Sequence, residues 1–240
     1  MEEIAANVVR IKKEIKQACT YVGRDPSTVR LLAVSKNFPA EAIKTAYDAG
    51  LHIFGENRVQ EICSKIPLLP RSIEWHLIGT LQRNKVKDVI GKVALIHSVD
   101  SLRLAHELNK QALKKNLPAN ILLQVNIAGE ETKHGFTSQA VREKIEEISR
   151  LPALKIRGLM TIAPFTDNPE EARPVFRKLK DLAVYIEGLG LPGVQMKELS
   201  MGMSGDFRVA IEEGSTLVRI GSRIFGTRDY VGGNVVNEGI

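Results

Sequence analysis

Cysteine is scarce in this 240-residue chain, with Cys19 and Cys63 the only two. Two thiols without spaced partners exclude a disulfide framework and a cysteine-based zinc motif, and they point to a reducing compartment. Long apolar runs are also missing. None approaches the roughly 18 residues that a membrane span needs, so no membrane partner is expected. Glu2 and Glu3 stand where a secretory signal carries positive charge, and a cytoplasmic location is the expectation. No G-x-G-x-x-G turn follows the first strand, where the chain reads Ser35-Lys36-Asn37. Linkers, low-complexity tracts and repeats of about 20–50 residues are absent too. The expectation is a single domain over residues 1–230 and a flexible tail over 231–240, where glycine and asparagine concentrate.

What the chain does contain is ordinary for a globular protein: 43% hydrophobic and 26% charged residues, with a formal net charge of +6. The charge is uneven, because residues 1–120 hold 19 basic and 12 acidic side chains. Arg83, Lys85, Lys87 and Lys92 form the local concentration. No helix-turn-helix, zinc finger or aromatic-interleaved basic stretch accompanies them, so they read as a solvated face and no nucleic acid partner is expected.

Apolar periodicity alternates along the chain. Ile4, Val8, Ile11 and Ile15 mark one face of a leading helix. Strand candidates follow at 31–35, 51–54, 74–78, 93–97, 121–126, 155–160, 197–200 and 217–221. Helical patterns open near Pro39, Ser101, Ser138 and Pro169, and Asp206 is a candidate cap for a short one. Pro174 predicts an irregular first turn in the long helix that begins near Pro169. Eight strands alternating with helices predict an α/β fold, a (β/α)8 TIM barrel with an extra N-terminal helix. A doubly wound open sheet is the competing arrangement.

Barrel chemistry sits at the C-terminal ends of the strands. Those ends supply Lys36, Glu56, Asn57, His76, Asn126, Thr161, Ser200 and the segments Met201-Gly202-Met203-Ser204 and Arg219-Ile220-Gly221-Ser222. If the barrel closes, its first and last strands are neighbours, and Lys36 faces Arg219, Gly221 and Ser222 across one mouth. A partly desolvated lysine near other cations has its ammonium form disfavoured and can attack an aldehyde. A lysine in a surface loop is the plainer alternative. Gly202, Gly221, Ser204 and Ser222 suit a phosphate cradle, or else simple tight turns.

The segments Ala33-Val34-Ser35-Lys36, Phe54-Gly55-Glu56-Asn57, Trp75-His76-Leu77-Ile78-Gly79, Leu81-Gln82-Arg83-Asn84-Lys85, Arg157-Gly158-Leu159-Met160, Ser200-Met201-Gly202-Met203-Ser204 and Val218-Arg219-Ile220-Gly221-Ser222-Arg223-Ile224-Phe225-Gly226 run in order along nearly the whole chain. Together they resemble the pyridoxal phosphate homeostasis protein family. The resemblance implies a barrel like the N-terminal domain of alanine racemase, bound pyridoxal 5′-phosphate (PLP), and no established catalysis. It implies that Lys36 is the Schiff-base lysine, that Ser204, Gly221 and Ser222 hold the phosphate, and that Arg219 approaches the pyridine nitrogen. Asn57 and, more weakly, His76 would line the pocket. PLP-dependent apoenzymes would be partners of a monomer. Asn37-Phe38 departs from the family pattern, which commonly has a threonine and then a second lysine. Lys133 lies in a loop where relatives also carry lysine.

Arg219 bears on the chemistry. A guanidinium only donates, so it favours an unprotonated ring nitrogen and a weaker electron sink. That suits a holder of PLP. A PLP-dependent amino-acid racemase and a cofactor-free Schiff-base aldolase are the competing functions. A racemase needs a second base on the other face of the substrate, for which Tyr230 is the only late tyrosine.

Overall fold

The eight strand candidates correspond to eight parallel strands that close in sequence order into a barrel. They are β1 (Arg30–Val34), β2 (Ile53–Glu56), β3 (Glu74–Leu77), β4 (Leu95–Val99), β5 (Ala119–Gln124), β6 (Leu154–Met160), β7 (Val194–Ser200) and β8 (Leu217–Ile220). The computed structural model describes residues 2–130 and 134–226, so Lys133, Tyr230 and the tail at 231–240 lie outside the described residues. Nine α-helices are assigned among the described residues: α1 (Glu2–Tyr21), α2 (Ala40–Asp48), α3 (Val59–Lys65), α4 (Val86–Val89), α5 (Leu102–Lys115), α6 (Ser138–Ser149), α7 (Arg173–Glu187), α8 (Phe207–Glu212) and α9 (Ser222–Phe225). The (β/α)8 barrel with an additional leading helix is therefore the fold, and the open sheet is excluded by the β1–β8 pairing, Ala33 opposite Ile220.

Strand alternation divides the apolar residues between two cores. Leu32, Leu95, Leu122, Met160 and Leu217 form one cluster, packed by Val34, Ile53, Ile78 and Ile162, which fills the barrel interior. Ala33, Phe54, Trp75, Ile96 and Ile121 belong to the larger cluster between strands and helices. The extra helix α1 packs near the β8 end. Glu14 accepts from Arg208 at 2.8 Å and Arg223 at 2.7 Å, and Asn7 Nδ2 donates to the Ile224 carbonyl at 3.0 Å. These bonds anchor α8 and α9, which flank the mouth where the last strand ends.

Side-chain capping sets the starts of two of the long helices, α5 and α6. Ser101 Oγ accepts from Leu104 N at 3.3 Å, as its position before an apolar periodic segment predicts. Ser101→Ala is expected to cost about 1 kcal/mol, read as a lowered midpoint in urea unfolding. Thr137, one residue ahead of Ser138, caps α6 through Ala140 N at 3.0 Å. The turn before α7 is a 3₁₀ segment, Pro169–Ala172, which agrees with the irregularity expected from Pro174.

Two expectations need correction, and two short helices carry no sequence signal. Asp206 occupies the N-cap position of α8 and its carbonyl accepts from Ala210 N at 3.0 Å, but its side chain does not cap the helix; Oδ1 instead accepts from Met203 N at 2.5 Å, bracing the loop after β7. The β2 and β4 candidates lie two residues early. Leu51 is buried, yet its N–H closes the preceding helix by bonding to Ala46 O at 3.1 Å. The helices α3 and α4 are too short to show an apolar repeat.

Candidate functional site

Lys36 follows β1 after one residue, Ser35, and is half-buried. Because β8 is its neighbour, Gly221 and Ser222 emerge beside it. A Cβ on Gly221 would stand 3.2 Å from the Val34 carbonyl oxygen, so a larger residue would crowd the two strand ends together. Gly202 has φ of 91°, a left-handed conformation that glycine adopts without strain, and a Cβ there would meet the Ala210 Cβ at 2.5 Å. Its carbonyl accepts from Arg219 N at 3.0 Å. The two loops are joined at their tips, where Ser222 Oγ and Ser204 Oγ lie 3.2 Å apart. Phe38 and Phe225 stack with ring centroids 4.8 Å apart, tying the Lys36 turn to α9. The structure thus brings Lys36, Ser204, Arg219, Gly221 and Ser222 to one mouth. Asn57 stands half-buried just after β2.

Arg219 connects that mouth to the barrel interior. It is 5% exposed. Its NH1 donates to Ser200 Oγ at 2.6 Å and its NH2 to the Thr161 carbonyl at 2.9 Å. A guanidinium has five N–H donors. Those two contacts use one hydrogen from each terminal nitrogen and fix the plane of the guanidinium. Burial lowers the Arg219 pKa to about 10, partly offset by the Asp206 carboxylate.

His76 is not a wall of the mouth. It is completely buried inside the barrel, and both ring nitrogens are engaged, Nε2 with Glu74 Oε1 at 2.8 Å and Nδ1 with His97 Nε2 at 2.9 Å. His97 Nδ1 in turn meets Ser200 Oγ at 2.9 Å. Burial lowers the pKa of both imidazoles, and His97 sits well below its ordinary range. The His76 hydrogen bond lowers that of Glu74, which stays a carboxylate.

These states fix every hydrogen along the line. Glu74 only accepts, so His76 Nε2 carries the proton and its Nδ1 accepts. His97 Nε2 then donates, and Ser200 donates to His97 Nδ1 while accepting from Arg219. The donors run in one direction, from Arg219 to Glu74. At the far end Arg30 donates to Glu74 at 3.3 Å and to Glu198 at 2.7 Å. Arg30 and Glu74 begin β1 and β3 and His97 lies mid-β4, so a survey of C-terminal strand ends passes over all three. The one sequence signal was a histidine inside the apolar run Leu95-Ile96-His97-Ser98-Val99.

Among the described residues, no group of three or more His, Cys, Asp or Glu is placed to hold a metal ion, and no helix is long and apolar enough to cross a membrane. The donor set at the mouth is instead an amine, a guanidinium, two hydroxyls and glycine-lined backbone. These groups fit an aldehyde that carries a phosphate and a basic ring nitrogen.

Residues 3–229 match the family described as alanine racemase, N-terminal domain. Fold and mouth together define the class, a barrel of the alanine racemase N-terminal type. Over 222 residues the chain is 47% identical to the pyridoxal phosphate homeostasis protein of Aquifex aeolicus, covering 92% of this chain and 96% of that relative. It is 42% identical over 235 residues to the pyridoxal phosphate homeostasis protein of Escherichia coli strain K12, covering 96% and 99% respectively. The chain belongs to the pyridoxal phosphate homeostasis protein family. The solved structure of PipY from Synechococcus elongatus with PLP bound aligns with a TM-score of 0.78 at 38% identity, covering 88% of this chain and 100% of that chain. Alanine racemase from Clostridium difficile aligns with a TM-score of 0.73 at 16% identity, over 95% of this chain and 57% of that chain, a likeness of fold alone.

Proposed function

We propose that this chain binds PLP covalently through Lys36 and holds it for later delivery, without turning over a substrate on it. One observation carries the reading: the β1–β8 pairing seats Lys36 beside a glycine–serine cradle, with the Arg219 guanidinium below. When bound, the cofactor supplies an aldehyde for the amine and a pyridine ring able to accept electrons. Lys36 would be the covalent anchor, offering its amine to that aldehyde. The Ser204 and Ser222 hydroxyls and the Gly221 backbone would hold the phosphate oxygens. Asn57 would close one side. Arg219 would donate a hydrogen bond to the ring nitrogen and leave it unprotonated, because a guanidinium keeps its protons. An unprotonated ring is a poor electron sink, so Arg219 gives carbon–hydrogen cleavage little support. This favours a holder over a racemase. His76 and His97 act at a distance, by fixing the Ser200 hydroxyl against which Arg219 rests.

The test is an absorbance spectrum of the purified protein mixed with PLP, before and after borohydride, followed by mass mapping. The expected adduct maps to the peptide containing Lys36. An adduct confined to another lysine, Lys133 included, would end this reading.

A further inference from the structure

Behind the Lys36 turn lies an ion cluster with no part in holding the ligand. Glu56 ends β2 and is completely buried. Its Oε1 accepts from the Ser35 hydroxyl at 2.6 Å and from Lys65 Nζ at 2.8 Å. Lys65 ends α3, and its side chain is only 10% exposed. The same ammonium donates to the Ser35 carbonyl at 3.1 Å and to Glu61 Oε2 at 3.1 Å. An ammonium has three N–H donors, so these three acceptors occupy all of them. Glu61 Oε2 also accepts the Asn37 backbone N–H at 2.9 Å.

Ser35 and Asn37 are the two chain neighbours of Lys36. The backbone on both sides of that lysine is therefore tied to one cluster on α3. Asn37 has φ of 65°, a left-handed conformation that asparagine tolerates better than most residues. Its N–H points at Glu61 in that conformation.

We propose that Lys65, with Glu56 and Glu61, is the positioning device for Lys36: this clamp sets the reach of the amine into the mouth, and through it the rates of cofactor uptake and release. The proposal rests on reading Lys36 as the cofactor lysine. Removing one member of a buried ion pair leaves the other charge uncompensated, and Lys65 is the member that both carboxylates share.

The clamp contains one member that changes charge near neutrality. Glu56 Oε2 has no hydrogen-bond partner, and burial raises the pKa of this carboxyl to about 7, against the lowering effect of Lys65 and Ser35. The charged groups facing Glu56 are Lys65 and Glu61, both from α3. β1 presents the Ser35 hydroxyl, and β3 presents the apolar Leu77, which pairs with Glu56 in register. Burial acts upward on Glu61 as well, but the Asn37 N–H and the Lys65 ammonium outweigh it and hold Glu61 below its ordinary range. Glu61 thus stays ionised while Glu56 titrates. Protonating Glu56 takes one of two carboxylates from Lys65 and slackens the Ser35 side, while the Asn37 side remains tied.

The experiment uses the full chain and PLP itself, with uptake and release rates followed by absorbance across the neutral range. Wild-type rates are expected to show an inflection near neutrality. In Glu56→Gln that inflection disappears while the final spectrum is unchanged. Lys65→Met shifts the rates by at least about tenfold at every pH, and Lys65→Arg recovers part of the loss. Glu61→Gln, which leaves the Glu56–Lys65 pair intact, changes the rate but keeps the inflection, and it serves if Lys65→Met does not fold. Wild-type rates in Lys65→Met, or in Glu61→Gln where Lys65→Met is unfolded, overturn the clamp, as does an unchanged inflection in Glu56→Gln. Lys36→Ala separates the two levels. If it loses the spectral change while the clamp variants behave as wild type, the clamp alone is wrong. If it keeps the spectral change, the reading of Lys36 falls and takes the clamp with it.

Discussion

Lys36→Ala is expected to abolish the visible absorbance that develops when PLP meets the wild-type chain, and to leave borohydride nothing to fix. Alanine retains the backbone that Ser35 and Asn37 secure, and the removed side chain is half-buried at the mouth, so the fold is expected to persist. What remains is a cradle of hydroxyls, backbone and one guanidinium. Hydrogen bonds to a charged group contribute roughly 1.5–3 kcal/mol each, enough for weak, reversible binding. The loss of the covalent bond is expected to weaken retention at least ~100-fold, about 3 kcal/mol. Equilibrium dialysis alongside the spectrum separates the two contributions. Unchanged affinity together with an unchanged spectrum would exclude Lys36.

Arg219→Met is expected to separate holding from folding. Burial pulls the Arg219 pKa down to about 10, so its charge costs the folded state about 3 kcal/mol at neutral pH. Methionine removes that cost and fills similar volume. Against this, the Thr161 carbonyl loses its 2.9 Å donor and Asp206 loses a nearby cation, together worth roughly 1–3 kcal/mol. The two sides nearly cancel, and thermal unfolding is expected to stay within a few degrees of the wild-type midpoint. PLP release, by contrast, should accelerate by roughly 10–100-fold, because a charge-assisted hydrogen bond to the ring nitrogen is gone. A residue kept at such expense in the apo fold is best explained by what it does to a ligand. If unfolding collapses while release is unchanged, Arg219 is a structural residue.

The barrel was legible because its strands are buried on both faces and read as short continuous apolar runs between helix signals. Leu31-Leu32-Ala33-Val34 and Leu217-Val218-Arg219-Ile220 show this directly. The mouth was legible for the same reason, since polar and small residues right after such runs have no place in a core. What lay hidden were polar groups inside elements. His97 sits among apolar neighbours on β4, and nothing local shows that its partners come from β3 and β7. His76, assigned to the mouth by its place near a strand end, faces the interior because strand alternation puts it there. Lys65 and Glu61 lie on α3, a helix too short to announce itself. Their role appears only once β1 and β2 bring Ser35 and Glu56 against it.

The line from Arg219 to Glu74 has one more consequence. Every hydrogen in it already points the same way, so there is no vacancy into which a proton can step. Conduction toward Glu74 would require Arg219 to surrender a proton, and conduction back would require two imidazoles that burial keeps neutral to become charged. The line is an insulator with a fixed polarity. Acid at the N-terminal face of the barrel is expected to reach Glu74 and stop there, leaving a ligand at the opposite face in its own electrostatic climate.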